Sequence, residues 1–143
     1  MIRRPPRSTL DRSSAASDVY KRQEQLPPGF RAVMKVWNAI TQAVDPKTRE
    51  PNPRFLSVDC VVERVLGPID DAFAEHAGPL VFEFPPLRRR ELPEPRAFAD
   101  RLGEFFAKLP RQLSYAVELR NPELLSHGYL EVLAQHGVGH VLN

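Results

Sequence analysis

The sequence predicts an α/β protein: a parallel sheet of about four strands alternating with helices. Three observations carry that expectation. Short apolar runs closed by proline or glycine recur along the chain. Segments with helical spacing of apolar residues stand between them. The strand segments are apolar nearly throughout, the pattern of a parallel sheet whose two faces are covered.

The first apolar run, Phe30-Arg31-Ala32-Val33-Met34-Lys35-Val36, follows the turn signal Pro27-Pro28-Gly29. A polar connection over residues 45–54, with Pro46, Pro51 and Pro53, is long enough to be expected on the surface. From Val58 onward, apolar residues at 58, 61, 62, 65, 66, 69 and 73 mark one face of a helix. Ser57 is its expected cap, Gly67-Pro68 a kink or a junction of two helices, and Gly78 lies just past its end. Residues 79–84 read as a buried strand closed by Pro85-Pro86. The next helix carries Phe98, Leu102, Phe105, Phe106 and Leu109 on one face, with Pro95 in its first turn. Residues 113–119 form the third strand. Asn121-Pro122-Glu123 has the chemistry of a helix start, and Leu124, Leu125, Tyr129, Leu130 and Leu133 continue an apolar face as far as Gly137. Residues 138–142 make the fourth strand.

Composition narrows the class further. The chain has 143 residues, 42% hydrophobic and 27% charged, as expected of a soluble globular domain. No apolar stretch approaches the ~18 residues of a membrane-spanning helix. The N-terminus has basic residues without the apolar run of a secretory signal. The single cysteine, Cys60, excludes an internal disulfide and a cysteine zinc site, so a reducing cytoplasm is the expected setting. The turn after the second strand is Pro85-Pro86 and not a glycine-rich dinucleotide fingerprint, and no P-loop is present, so no cofactor is expected. A doubly wound sheet and a (β/α) barrel both remain open.

Residues 1–23 differ from the rest. They hold six basic and two acidic residues, a net charge of +4, whereas residues 24–143 sum to −2. The overall charge of +2 therefore reflects the leader and is no argument for nucleic-acid binding by the domain. The leader has no helical or strand period and is expected to be disordered. Asp18-Val19-Tyr20-Lys21-Arg22-Gln23 resembles the translation of a transposon end used in sequencing libraries, so residues 1–23 are expected to be non-native adapter sequence; the competing reading is a genuine basic arm that binds nucleic acid or an anionic membrane.

Ionisable residues fall at or near the C-terminal ends of the strands: Lys35, Glu83, Glu118 with Arg120, and His140. Charged side chains on apolar strands call for a common location, since they are seldom buried without partners. Strand alternation puts Glu118 and Arg120 on one face. The mouth of a barrel would supply the location. There Glu118 would act as general base or acid and Glu83 as a second carboxylate, with Lys35 and Arg120 holding negative charge. Trp37, Asn38 and His140 would line the ligand. A carboxylate flanked by two cations keeps a low pKa, which suits electrostatic work better than acid catalysis. Each residue also has a structural reading. Lys35 could protect a sheet edge, and Glu83 could pair with a neighbouring cation. Glu118 and Arg120 could order the following loop. His140 could be a hydrogen-bonded core histidine, Asn121 a helix cap and Cys60 a small core residue. Arg88-Arg89-Arg90 could grip an anionic substrate or be a solvated loop. A metal held by Glu83, Glu118 and His140 has no spacing motif behind it, and none is expected. The expected partner is a small polar or anionic ligand. The alternative is a non-catalytic nucleic-acid or protein-binding module using the arginine run and Trp37; the acidic body argues against nucleic acid, and no membrane association is expected.

Several segments resemble the YecE-like family, a bacterial and archaeal domain of unknown function. Gly78-Pro79-Leu80-Val81-Phe82-Glu83-Phe84-Pro85-Pro86 is similar to its G-P-L-L-F-Q-F-P-P segment, and Tyr115-Ala116-Val117-Glu118-Leu119-Arg120 to its Y-A-V-E-x-R segment. His136-Gly137-Val138-Gly139-His140-Val141-Leu142-Asn143 resembles its H-G-V-A strand, and Phe30 to Thr41 its F-x-F-x-x-K-x-x-x-x-I-T-H strand and loop, with Lys35 near the lysine position and Ile40-Thr41 at the Ile-Thr. Glu83 stands where many relatives have glutamine, and Gln42 where they have histidine after Ile-Thr. The resemblance implies a TIM-type barrel with a pocket at the strand ends, and no established reaction. Such barrels take ~250 residues, so the chain is expected to be a fragment lacking strands before Glu24 and after Asn143. Its exposed sheet edges would favour self-association, and a further alternative is that the chain, as half a domain, is a non-functional fragment.

Overall fold

The computed structural model describes residues 27–69 and 74–143. The leader, and position 73 of the first helical face, lie outside the described residues. Strand β1 (Ala32–Lys35) is followed by a one-turn helix α1 (Asn38–Thr41). Helix α2 (Val58–Val61) runs into a wider π-helical segment at Val62–Leu66. Then come β2 (Ala77–Phe84), α3 (Pro95–Ala107), β3 (Tyr115–Leu119), α4 (His127–His136) and β4 (Gly139–His140). The pairings between these strands are parallel and the sheet order is β1-β2-β3-β4; a lone antiparallel bridge joins Val44 and Pro51 in the first connection. The expected class, strand number and strand direction are all present.

The local chemistry explains most boundaries. Ser57 caps α2, its hydroxyl accepting from the Cys60 N–H. The helix stops where Gly67 meets Pro68, which cannot donate a backbone hydrogen bond. Pro95 occupies the first turn of α3, and Glu94 caps it by accepting from the Arg96 and Ala97 N–H groups. Gly137 ends α4 with φ +63, the left-handed conformation that glycine adopts without strain.

Three readings need correction. Asn121 does not cap a helix: Pro122–Leu124 is a 3-10 turn without a side-chain cap, and α4 begins six residues later, capped by the Ser126 hydroxyl on Tyr129 N–H. Gly78 is not a helix stop but part of β2. Ala32 pairs with Ala77 while Met34 pairs with Leu80, so β2 carries one extra residue opposite Val33. That bulge accommodates Pro79, which has no N–H to give the ladder. Nor do the described residues cover the sheet on both faces.

The core lies on one side. Leu80, Phe82 and Phe84 of β2 and Tyr115, Val117 and Leu119 of β3 alternate into it. Phe82 meets Phe105 and Phe106 of α3 edge-on, with ring centroids 5.4 and 5.6 Å apart, and Phe84 meets Phe98 in the same way at 5.3 Å. Tyr129 of α4 is fully buried beside His140. The Tyr115 hydroxyl donates to the Pro110 carbonyl at 2.7 Å, and burial pushes its pKa up to about 12. Val81, Glu83, Ala116 and Glu118 project to the other side and are no part of that core. There Val33 is 68% exposed. Consecutive strands joined by right-handed crossovers put their helices on one side, the arrangement of a singly wound sheet. No helix among the described residues is long and apolar enough to cross a membrane.

Two glycines separate close packing from tolerance. A Cβ at Gly78 would lie 2.7 Å from the Ala32 carbonyl oxygen, so β1 and β2 would have to part. A Cβ at Gly103, inside α3, would meet the Val132 methyl groups at an ordinary 3.5 Å. In thermal melts Gly78→Ala is expected to lower the midpoint. Gly103→Ala is expected to raise stability by up to ~1 kcal/mol, the difference in helix propensity.

Candidate functional site

The strand register assembles the charged residues. Lys35 ends β1, Glu83 and Glu118 are the penultimate residues of β2 and β3, and Arg120 follows β3. Glu83 and Glu118 are direct register partners, so their carboxylates project side by side from the helix-free face. Two like charges in that position repel unless cations stand between or beside them. Lys35 Nζ lies 3.0 Å from Glu83 Oε2. Arg120 Nη2 lies 3.7 Å from the same oxygen and 3.0 Å from Glu118 Oε1. The result is a row of alternating sign across three strands: Lys35, Glu83, Arg120, Glu118. The side chains of the glutamates are 21% and 14% exposed, those of Lys35 and Arg120 51% and 44%.

Asn143 extends the row, its amide donating to Glu118 Oε1 at 3.4 Å and to the Leu119 carbonyl at 3.2 Å. Sequence reasoning missed this residue. Alternation from Gly139 through Val141 to Asn143 held the signal, since Gly139 pairs with Ala116 on the Glu118 face.

The carboxylate flanked by two cations is Glu83, whereas among the described residues Glu118 touches the cation Arg120 alone. The hydrogen bond from Lys35 is the chief reason that Glu83 titrates below the usual carboxylate range. The charges of Lys35 and Arg120 act in the same direction, and partial desolvation opposes them.

Other candidates are placed differently. Trp37 lies two residues beyond Lys35, is 47% exposed, and has the Arg54 guanidinium 5.6 Å from its ring centroid. Asn38 is exposed at the start of α1, where its carbonyl accepts from Gln42 N–H and the Thr41 hydroxyl. His140 is set apart from the row. It pairs with Val117, which puts it on the core face, and shares a 2.8 Å hydrogen bond with the Tyr129 hydroxyl. It therefore does not join Glu83 and Glu118 in a metal site, and no three His, Cys, Asp or Glu residues converge on one among the described residues. Arg88, Arg89 and Arg90 are exposed at a 3-10 turn.

The connections after the strands are tied to one another. Arg49, with φ +60, makes a two-pronged pair with Glu91, its Nε 2.8 Å from Oε1 and its Nη2 against Oε2. Asn121 clamps Leu87, accepting from its N–H at 2.7 Å and donating to its carbonyl at 3.2 Å. Asp45 starts the first connection by accepting from Lys47 and Thr48 N–H groups, which lowers its pKa. Beneath these ties lies a largely apolar cavity of about 110 Å³, lined in part by Thr41, Phe55, Phe84, Leu119 and Asn121. The charged row itself stands on an open face.

The pH dependence follows from the geometry. Glu83 has a lower pKa folded than unfolded, so its contribution is present above the unfolded value and is lost as pH falls through the folded one. Lys35→Met is expected to raise the Glu83 pKa and move that loss to higher pH. A carbon-detected NMR titration of the Glu83 carboxyl measures it; an unchanged midpoint would show that Lys35 has no hold on the group.

No curated protein and no solved structure matches the chain. The family described as "Protein of unknown function DUF72" matches residues 8–143, a range that starts inside the basic leader and takes in every strand and helix described above. The chain is a member of the DUF72 family, to which the YecE-like proteins belong.

Proposed function

We propose that the four strands form part of a TIM-type (β/α) barrel, and that the Lys35–Glu83–Arg120–Glu118 row lines its ligand-binding mouth. The ligand on this reading is a small polar or anionic molecule. One observation carries the proposal: three neighbouring strands each send a charged side chain to the same helix-free face, at the strand ends where barrels hold their sites. The sequential strand order favours a barrel over a doubly wound sheet, whose order reverses.

The residues divide by environment. Glu83, held ionised between two cations, supplies fixed negative charge. Glu118, with one cationic neighbour, is the group available for proton transfer. Lys35 and Arg120, each about half exposed, retain donors that a ligand can reach. The single cysteine and the composition fit a cytoplasmic protein.

Two measurements test the reading. A screen of small polar and anionic molecules by thermal shift is expected to yield at least one that raises the melting temperature. Glu118→Gln and Arg120→Met are expected to abolish that rise while leaving the cooperative melt of the ligand-free protein in place. A stabilisation that survives both substitutions would place the ligand elsewhere. The open face, with Val33 exposed on it, also supports self-association: sedimentation at rising concentration is expected to show oligomers, and a monomer throughout would remove that part of the proposal.

A further inference from the structure

We infer that the ligand of the charged row is a neutral, hydroxyl-rich molecule of the saccharide or polyol class and not a bare anion. The inference rests on the row being a ligand site and narrows what that site accepts.

Charge balance is the first argument. The row has two cations and two anions in alternation, and both cations already touch carboxylate oxygens at 3.0–3.7 Å. An anion drawn to Lys35 or Arg120 meets Glu83 and Glu118 beside them, and like charges at such range repel strongly where water is partly excluded. A cation drawn to the glutamates meets the lysine and the arginine. A neutral ligand is repelled by neither pair.

Hydrogen-bonding capacity is the second. An ammonium has three donors and a guanidinium five, and an ionised carboxylate accepts at both oxygens. The pairs within the row use Oε2 of Glu83 and Oε1 of Glu118, and among the described residues no donor meets Glu83 Oε1 or Glu118 Oε2. The row thus offers donors and acceptors in turn along one line. A hydroxyl group both donates and accepts, so neighbouring hydroxyls of a polyol can engage alternate members of the row.

Trp37 is the third. Trp37 lies two residues beyond Lys35, just past the end of β1, and is 47% exposed. Its ring meets the Arg54 guanidinium at 5.6 Å, and an exposed indole near the end of β1 offers an apolar surface for the C–H face of a sugar ring.

Trp37 is also the only tryptophan of the chain, so intrinsic tryptophan fluorescence reports on the segment just beyond Lys35. Titration of the whole chain with glucose, xylose and myo-inositol is expected to give a saturable fluorescence change with at least one of them, accompanied by a rise in melting temperature. Inorganic phosphate and citrate at equal ionic strength are expected to give neither. Glu118→Gln, which keeps the size of the side chain, is expected to weaken the saccharide response at least tenfold. A response to phosphate or citrate alone overturns the hydroxyl reading and leaves a ligand site in place. A cooperatively melting protein that responds to neither class overturns both readings.

Discussion

A parallel sheet wound in chain order covers only one of its own faces, because every right-handed crossover returns on the same side. That constraint organises this molecule. Helices α3 and α4 gather on the side of Phe82, Val117 and Leu119, and the large aromatic packing among the described residues takes place there. The opposite side receives small or β-branched residues, Val33, Val81 and Ala116, and then, at the strand ends, charge. The division between packing and polarity is set by topology before any side chain is chosen.

The magnitudes argue against a stabilising purpose for the row. A partly exposed ion pair contributes roughly 0.2–1 kcal/mol, whereas one buried leucine- or phenylalanine-sized side chain contributes about 1.5–3 kcal/mol. The register also sets two carboxylates side by side, an arrangement that requires Arg120 to make it tolerable. Placement of like charges side by side on a rigid scaffold supports the proposal that the row is a ligand site.

Much of the architecture was legible in the sequence because local chemistry decides it. Apolar strand runs, the Ser57 cap, the Gly67-Pro68 stop and the Gly137 terminus each follow from a few neighbouring residues. The bulge at Gly78-Pro79 was not legible, since it is a relation between two strands. The side of His140 was lost for the same reason: a shift of one residue in pairing sends every side chain of a strand to the other face, and nothing within residues 138–142 fixes that register. Helix α1 is a single turn, too short to leave a period. Asn121 had the composition of a cap, yet its amide found the backbone of Leu87, a partner 34 residues away that no local rule anticipates. Ile40 and Thr41, matched to the family by motif, are buried beneath the first connection and serve its packing.

Arg49 with Glu91, and Asn121 with Leu87, make a chain of braces in which the second connection is held by both the first and the third. Residues 42 and 34 positions apart in the sequence thereby share one mechanical fate. Substitutions in these segments should be epistatic: the cost of changing Asn121 depends on whether Arg49 still anchors the turn between them, so lineages that alter one tie are constrained in how they alter the other.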